Sequence, residues 1–156
     1  MLEYRITENK VYRIENLVLD FNGTIAVDGK LIPGVRELLN KISESIEVHI
    51  ITADTFGSVR NELLGISCKL KILVDKDQIS QKKTFITELG KERTVSIGNG
   101  RNDSDMVKES AIGICLVQNE CAATETLLNS DIVSTNIIDA LETLLKPDRI
   151  KATLRY

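Results

Sequence analysis

Short apolar runs alternate with helix-forming segments along most of this chain, and this alternation constrains the fold more than any other feature. Residues 17–20 (LVLD) are apolar on both faces, as in a strand buried within a parallel sheet. Pro33-Gly34 then precedes a segment whose apolar residues recur at helical spacing. Because strand and helix follow each other in this way, the chain predicts βαβ units with right-handed crossovers.

The same alternation continues to the end of the predicted core. Further strands are expected at 48–52, 70–73, 94–98, 112–116 and 131–133. Further helices are expected at 58–64, over a segment capped by Ser80 and ending at Gly90, and at 103–109, 120–128 and 136–145. The predicted fold is therefore α/β: a three-layer α/β/α sandwich around a mainly parallel, Rossmann-like sheet.

Two short hairpins are expected beside this sheet. Residues 4–6 and 11–14 flank a polar turn and predict a β-hairpin over residues 1–14. Residues 25–32 (IAVDGKLI) predict a second, smaller hairpin with its turn at Asp28-Gly29. We call this second hairpin the flap.

The chain is expected to form one domain over residues 1–156, with its core at about 15–145. It contains no internal repeat and no linker rich in Gly and Ser. The extension at 146–156 ends in residues 152–156 (ATLRY), which predict a further strand.

Composition argues against several classes of partner. Lys and Arg total 20 against 23 Asp and Glu, so no strong positive field would attract nucleic acid. No apolar run reaches the length of about 18 residues that a membrane span needs, and we expect a cytoplasmic protein. Three cysteines and a single histidine show no metal-ligand spacing, so neither a zinc site nor a disulfide framework is predicted.

Polar residues follow three of the predicted strands, where ligands bind in an open parallel sheet. They occupy residues 20–24 (DFNGT), 52–54 (TAD) and 98–103 (GNGRND), and Lys82-Lys83 adds charge near a helix start. Taken singly, each is typical of a turn, a helix cap or a solvated charge. Their common position at strand ends favours a functional site.

These motifs, written out as LVLDFNGT, IITAD, SQKKTFITEL and VSIGNGRND, resemble the four motifs of the haloacid dehalogenase (HAD) superfamily in their usual order. The last two, and the MVKESAIGI that follows, are similar to the versions in P-type ATPases. The resemblance covers roughly residues 15–145. It implies a soluble phosphorylation domain alone, because 21–51 and 53–81 each hold a crossover helix and leave no room for a cap domain.

The resemblance also implies a role for each site residue. Asp20 would be the nucleophile that accepts a phosphoryl group, and Lys82, preferred over Lys83 because Gln81-Lys82 matches the family, would keep it ionised. The implied catalytic residues are Asp20, Asn22, Thr52 and Lys82. The implied phosphate-binding residues are Asp20, Phe21, Asn22, Gly23, Thr24, Thr52, Ala53, Lys82 and Asn102. The implied Mg²⁺ ligands are Asp20, the carbonyl of Asn22, and Asn99 or Asp103.

Two positions depart from the family pattern. Phosphatases of the superfamily usually carry Asp two residues after the nucleophile as general acid and base, whereas Asn22 cannot transfer a proton at neutral pH. Asn99 replaces the usual metal-binding Asp and offers an amide oxygen without a full charge. Slow hydrolysis and weaker metal binding are therefore expected.

Three functions are compatible with these residues. The first is a Mg²⁺-dependent phosphohydrolase acting on a phosphorylated substrate of unknown identity. The second is a weakened phosphate- and metal-binding module that acts through a protein partner. The third, a structural domain without a ligand, requires four strand-end motifs to have arisen in order by chance. Without a cap the site would be open, and a second copy of the chain or a protein partner would cover it.

Overall fold

The structure, a computed structural model, describes residues 1–53, 57–74 and 76–155. Along these residues the strands are β1 (Leu2–Arg5), β2 (Val11–Ile14), β3 (Asn16–Leu19), β4 (Ala26–Val27), β5 (Lys30–Leu31), β6 (Glu47–Thr52), β7 (Lys69–Ile72), β8 (Thr94–Gly98), β9 (Ile112–Leu116) and β10 (Ile132–Ser134). The α-helices are α1 (Val35–Ser43), α2 (Val59–Glu62), α3 (Gln78–Leu89), α4 (Ser104–Glu109), α5 (Thr124–Asn129), α6 (Ile137–Leu144) and α7 (Pro147–Leu154). Short 3-10 helices cover Lys91–Arg93 and Arg101–Asp103.

Within the described residues the main sheet has six parallel strands in the order β10-β9-β8-β3-β6-β7. The strand β3 lies between β6 and β8, so the chain extends the sheet first to one side of β3 and then to the other. Such a switch point leaves a crevice at the carboxyl ends of the strands. The predicted parallel α/β sheet is confirmed.

The central strand β3 is buried on both faces. Leu17 and Leu19 belong to one apolar cluster, whereas Val18 belongs to another on the opposite face. Helices α1 and α6 cover the first face and α3 and α4 the second, each through its buried apolar residues. This explains why residues 17–19 are apolar without interruption and confirms the three-layer sandwich.

The two predicted hairpins are present. Strands β1 and β2 pair antiparallel next to the core, and β4 and β5 form the flap around Asp28 and Gly29. Both turn residues have positive φ angles, 49° and 76°, which an Asp-Gly turn accommodates well.

Three predictions about local structure were wrong. The tail at 152–156 is not a strand, because the described part of it continues helix α7, which begins at Pro147. The cap of α3 is Asp77, whose side chain accepts a hydrogen bond from the backbone N–H of Ser80. The helix expected at 120–128 begins only at Thr124, because the preceding residues form a loop held by tertiary hydrogen bonds.

No helix within the described residues is both long enough and apolar enough to cross a bilayer.

The buried hydroxyl of Tyr4 attaches the N-terminal hairpin to the core, because it donates to the carbonyl oxygen of Leu144 at 2.8 Å. Replacing Tyr4 with Phe leaves that carbonyl buried without its donor and should lower the free energy of unfolding by about 1–3 kcal/mol, as measured by urea denaturation. Tyr12→Phe is the matched control. The half-buried Tyr12 ring packs under the Lys10 ammonium, 5.2 Å from the ring centroid, and a Phe ring keeps this contact. Equal losses in the two variants would contradict the assigned role of Tyr4.

Candidate active site

The loops after β3 and β8 meet because their strands are neighbours in register. Leu19 pairs with Ile97, and the backbone N–H of Asp20 donates to the Ile97 carbonyl at 3.0 Å. Strand β6 runs two residues beyond its pairing of Ile50 with Leu19 and ends at Thr52. The first, second and fourth sequence motifs therefore open at the same edge of the sheet.

Lys82 joins two of these loops through a buried ammonium group. Its Nζ atom lies 2.7 Å from Oδ1 of Asp20 and 2.6 Å from Oδ1 of Asp103. The side chains of Lys82 and Asp103 are fully buried, and that of Asp20 is 11% exposed. A buried cation between two carboxylates is a charge arrangement that only tight pairing makes stable. The neighbouring Lys83 is exposed and pairs with Asp105 on α4.

The environment of Asp20 raises its pKa to about 6. Burial is the main cause, the Asp103 carboxylate adds to it, and the Lys82 ammonium acts in the opposite direction. Burial by itself lowers the pKa of Lys82, but the two carboxylates outweigh it and raise that pKa overall. At neutral pH Asp20 is therefore mainly a carboxylate beside an ammonium, which is the form a nucleophile needs.

Asp103 orders the loop that contains Asn99. Its Oδ2 atom accepts the backbone N–H of Asn99 at 3.0 Å and that of Gly100 at 2.9 Å, while Oδ1 accepts from Lys82. A Cβ atom at Gly98 would lie only 2.4 Å from the Asp103 side chain. Both Asp103 oxygens thus accept hydrogen bonds from the protein, and these contacts fit a role in orienting Lys82 better than the predicted role as a metal ligand.

Both unusual amides of the site already have partners. The Asn99 Nδ2 group donates to the Cys121 carbonyl at 2.9 Å, and its Oδ1 accepts from the Thr24 hydroxyl at 3.4 Å. The side-chain oxygen of Asn22 accepts the backbone N–H of Gly29 at 3.0 Å and so holds the flap. An Asp at position 99 would instead direct a carboxylate oxygen at the Cys121 carbonyl.

Three oxygen atoms near the loop after β3 suit a hard cation. They are the Asp20 carboxylate, the backbone carbonyl of Asn22, which accepts no hydrogen bond from any described residue, and Oδ1 of Asn99. Gly23 has a φ of 80°, and a Cβ atom there would lie 2.3 Å from the Asn99 amide. The loop after Asp20 thus lies directly against the Asn99 side chain. Among the described residues no group of three or more His, Cys, Asp or Glu side chains could hold a metal ion.

The remaining predicted phosphate ligands follow strands that end at this edge of the sheet. Thr52 is buried at the end of β6, with Ala53 after it. The Phe21 side chain packs in the core, so only its backbone can face a ligand. The backbone N–H groups of Gly23 and Thr24 donate within the turn, to Ala26 and Phe21 at 2.7 and 3.1 Å.

Asn102 also has a protein partner, because its Nδ2 donates to Oε1 of Gln78 at 2.7 Å. Asp54, which follows Thr52 in its motif, lies outside the described residues. The phosphate-binding and metal-binding assignments therefore stay predictions.

Sequence reasoning missed the loop 117–123, which follows β9. Gln118 donates to the carbonyls of Gly23 and Thr24, and Cys121 accepts from Asn99. The strand-end rule that located the other motifs applies to this loop as well. It was overlooked because its residues, QNECA from Gln118, carry no family motif.

A large cavity in the described part of the chain does not coincide with these groups. It measures about 610 Å³ and lies at the opposite end of β3 and β6, where Glu15, Ile46, Glu47 and Cys68 contribute to its lining. None of the predicted site residues lines it. The chemistry of the buried charges, and not cavity volume, locates the candidate site.

No model of a known protein family matches the chain. The chain is 40% identical over 90 residues to the uncharacterized protein MJ0073 of Methanocaldococcus jannaschii, and the match covers 53% of this chain and 97% of that protein. The chain belongs to the family of MJ0073.

Solved structures identify the fold. A 3-deoxy-D-manno-octulosonate 8-phosphate phosphatase from Moraxella catarrhalis, crystallised with a magnesium ion, a phosphate ion and KDO, has a TM-score of 0.65 and 22% identity, covering 91% of this chain and 94% of that one. A HAD family hydrolase from Streptomyces avermitilis has a TM-score of 0.67 and 17% identity, covering 87% of each chain. This chain has the HAD fold. The likeness to P-type ATPases stays a prediction.

In this HAD fold, Lys82 should be the most costly site side chain to remove. Lys82→Met leaves the Asp20 and Asp103 carboxylates buried without their cation and should lower the free energy of unfolding by about 3–5 kcal/mol at neutral pH in the absence of metal. Urea denaturation measures this loss. Part of it should disappear in acid, where Asp20 takes up a proton.

Lys83→Met is the control, because it removes a lysine next in sequence that lies on the surface. It should leave the unfolding midpoint nearly unchanged. A similar loss in both variants would contradict the buried charge arrangement.

Proposed function

We propose that the protein is a slow, Mg²⁺-dependent phosphohydrolase that forms an aspartyl-phosphate on Asp20. The observation that carries the proposal is the buried ammonium of Lys82, which lies 2.7 Å from the Asp20 carboxylate and also forms an ion pair with Asp103. A carboxylate held ionised beside a fixed cation, at the switch point of a parallel sheet, suits attack on a phosphate group.

The reaction proceeds in two displacements. A carboxylate oxygen of Asp20 attacks phosphorus while the bond to the leaving oxygen breaks, and the leaving group takes a proton from water. Water then attacks the phosphorus of the aspartyl-phosphate, which releases inorganic phosphate and restores the carboxylate. Lys82 offsets the negative charge that gathers on the phosphoryl oxygens, and the Thr52 hydroxyl and the Ala53 N–H would bind those oxygens.

A divalent cation fits beside this nucleophile. Asp20, the Asn22 carbonyl and Oδ1 of Asn99 would hold it, with water completing a shell of hard oxygens. When bound, the cation supplies positive charge to the phosphate oxygens. The magnesium and phosphate ions crystallised with the Moraxella phosphatase support this choice.

Hydrolysis is slow because the amide side chain of Asn22 cannot act as a general acid or base. The Asn22 amide instead accepts a hydrogen bond from the flap. A general acid or base contributes about 10²–10⁴-fold to such a step, so an aspartyl-phosphate should persist.

Two substitutions test the proposal through phosphate release from a panel of phosphate monoesters with Mg²⁺. Asp20→Asn removes the nucleophile and should reduce release to the level without protein. Asn22→Asp should raise it by about 10²–10⁴-fold, because a carboxylate supplies the missing acid and base and still accepts the Gly29 N–H. Asn22→Ala, which offers neither group, should show no gain. Release that is unaffected in Asp20→Asn would refute the assignment.

The metal site has its own test in Asn99→Asp. The new carboxylate faces the Cys121 carbonyl, 2.9 Å away in the native contact, so the metal-free variant should be less stable than the native protein. Mg²⁺ should then raise its melting temperature by more than it raises that of the native protein, because a charged ligand binds the cation more tightly. Thermal unfolding with and without Mg²⁺ measures both effects. If Mg²⁺ raised the melting temperature of the variant by less than that of the native protein, Asn99 would not be a metal ligand.

A second candidate is a phosphate- and metal-binding module that acts through a protein partner. It is favoured by Asn22 and Asn99 being engaged in structural hydrogen bonds, and by a flap of only two short strands that leaves room for a partner. Under this alternative beryllofluoride, a mimic of the aspartyl-phosphate, binds with Mg²⁺ while phosphate release stays at background. Measurable turnover in the native protein would exclude it.

A further inference from the structure

The side chain of Gln118 connects three separate parts of the fold. Gln118 is half-buried in the loop 117–123 that follows β9. Its Nε2 group donates to the carbonyls of Gly23 at 3.1 Å and Thr24 at 2.7 Å. Its Oε1 atom accepts the N–H of Ile137, the first residue of α6, at 2.9 Å.

These hydrogen bonds attach the loop that follows β3, which contains Asp20 and which we call the nucleophile loop, to helix α6. Both amide hydrogens of Gln118 are used on the loop after Asp20, and its oxygen satisfies an N–H that a helix start leaves unpaired. Helix α6 is packed in the core through Ile137, Ala140, Leu141 and Leu144. The turn after β3 is therefore tied to the core at a point away from Asp20.

The loop 117–123 also binds the loop that contains Asn99. The Gln118 carbonyl accepts the N–H of Cys121 at 2.8 Å, which closes a turn, and the Cys121 carbonyl accepts from the Asn99 side chain. The backbone N–H of Ala123 donates to the Asn99 carbonyl at 2.8 Å. The loop 117–123 thus contacts both loops that would enclose the metal and phosphate.

We propose that Gln118 is a positioning residue of the proposed site: it sets the separation of the Asp20 loop and the Asn99 loop at which phosphate and cation bind. The proposal rests on the proposed function. An amide is required, because the position must donate to two carbonyls and accept from one N–H. A glutamate of the same shape accepts but cannot donate, so it would repel the Gly23 and Thr24 carbonyls.

The test measures Mg²⁺-dependent beryllofluoride binding by titration calorimetry, together with kcat and KM for phosphate release. Gln118→Glu should weaken beryllofluoride binding by about 10- to 100-fold and lower kcat by a similar factor, with a smaller change in KM, because a misplaced site loses more in the transition state than in substrate binding. Amide hydrogen exchange at residues 21–25 should be faster in the metal-free variant. Gln118→Met, neutral and similar in volume, should act in the same direction.

Asn119→Asp is the matched control, because it adds the same charge at the next, exposed position of the loop. It should bind beryllofluoride with native affinity. An equal loss in this control would attribute the effect to charge alone and overturn the proposal.

The outcomes separate the two claims. If the native protein binds no beryllofluoride with Mg²⁺, the proposed function fails and this proposal fails with it. If the native protein binds and Gln118→Glu binds equally well, only the role of Gln118 is overturned. If both Gln118 variants fail to fold, or if they lose stability while the folded protein keeps native affinity, Gln118 has a general structural role and the proposal is wrong.

Discussion

The fold at the candidate site depends on the buried ammonium group of Lys82. The Lys82 ammonium has no access to solvent and is stable there because two carboxylates, Asp20 and Asp103, lie within 2.7 Å of it. These three groups come from the loop after β3, helix α3 and the loop after β8. Their separation is therefore set by the packing of the sheet and the helix, and it cannot relax without breaking the charge balance. This fixed field keeps Asp20 ionised although burial raises its pKa.

The switch-point topology provides the frame for this charge arrangement, and hydrogen bonds between loops complete it. Strand β3 lies between β6 and β8, so three loops open at one edge. The loop 117–123 then ties two of them together through Gln118 and Cys121. A site built in this way takes its rigidity from strands and helices, although most of the groups proposed to bind ligand lie on loops.

Asn22 and Asn99 have a different meaning in sequence and in structure. In sequence each stands where the resembled family usually has a carboxylate. Asn22 therefore indicates slower proton transfer, and Asn99 indicates weaker metal binding. In the structure each amide also makes a specific hydrogen bond, to Gly29 of the flap and to the Cys121 carbonyl. A chain that had merely lost its catalytic carboxylates would not need these bonds, which suggests that the amides help to hold the site in shape.

The sequence by itself determined the layer architecture, because strands buried on both faces must be apolar throughout and amphipathic helices must cover them. It also located Asp20, Thr52 and the loop 98–103 at strand ends and Lys82 near a helix start, through their order and their likeness to a known family. Only the tertiary structure decided that Lys82 contacts both Asp20 and Asp103, that the tail is helical, and that Gln118 reaches the nucleophile loop. Contacts of this kind join residues far apart in the chain, and their geometry depends on register and packing, which no local pattern encodes.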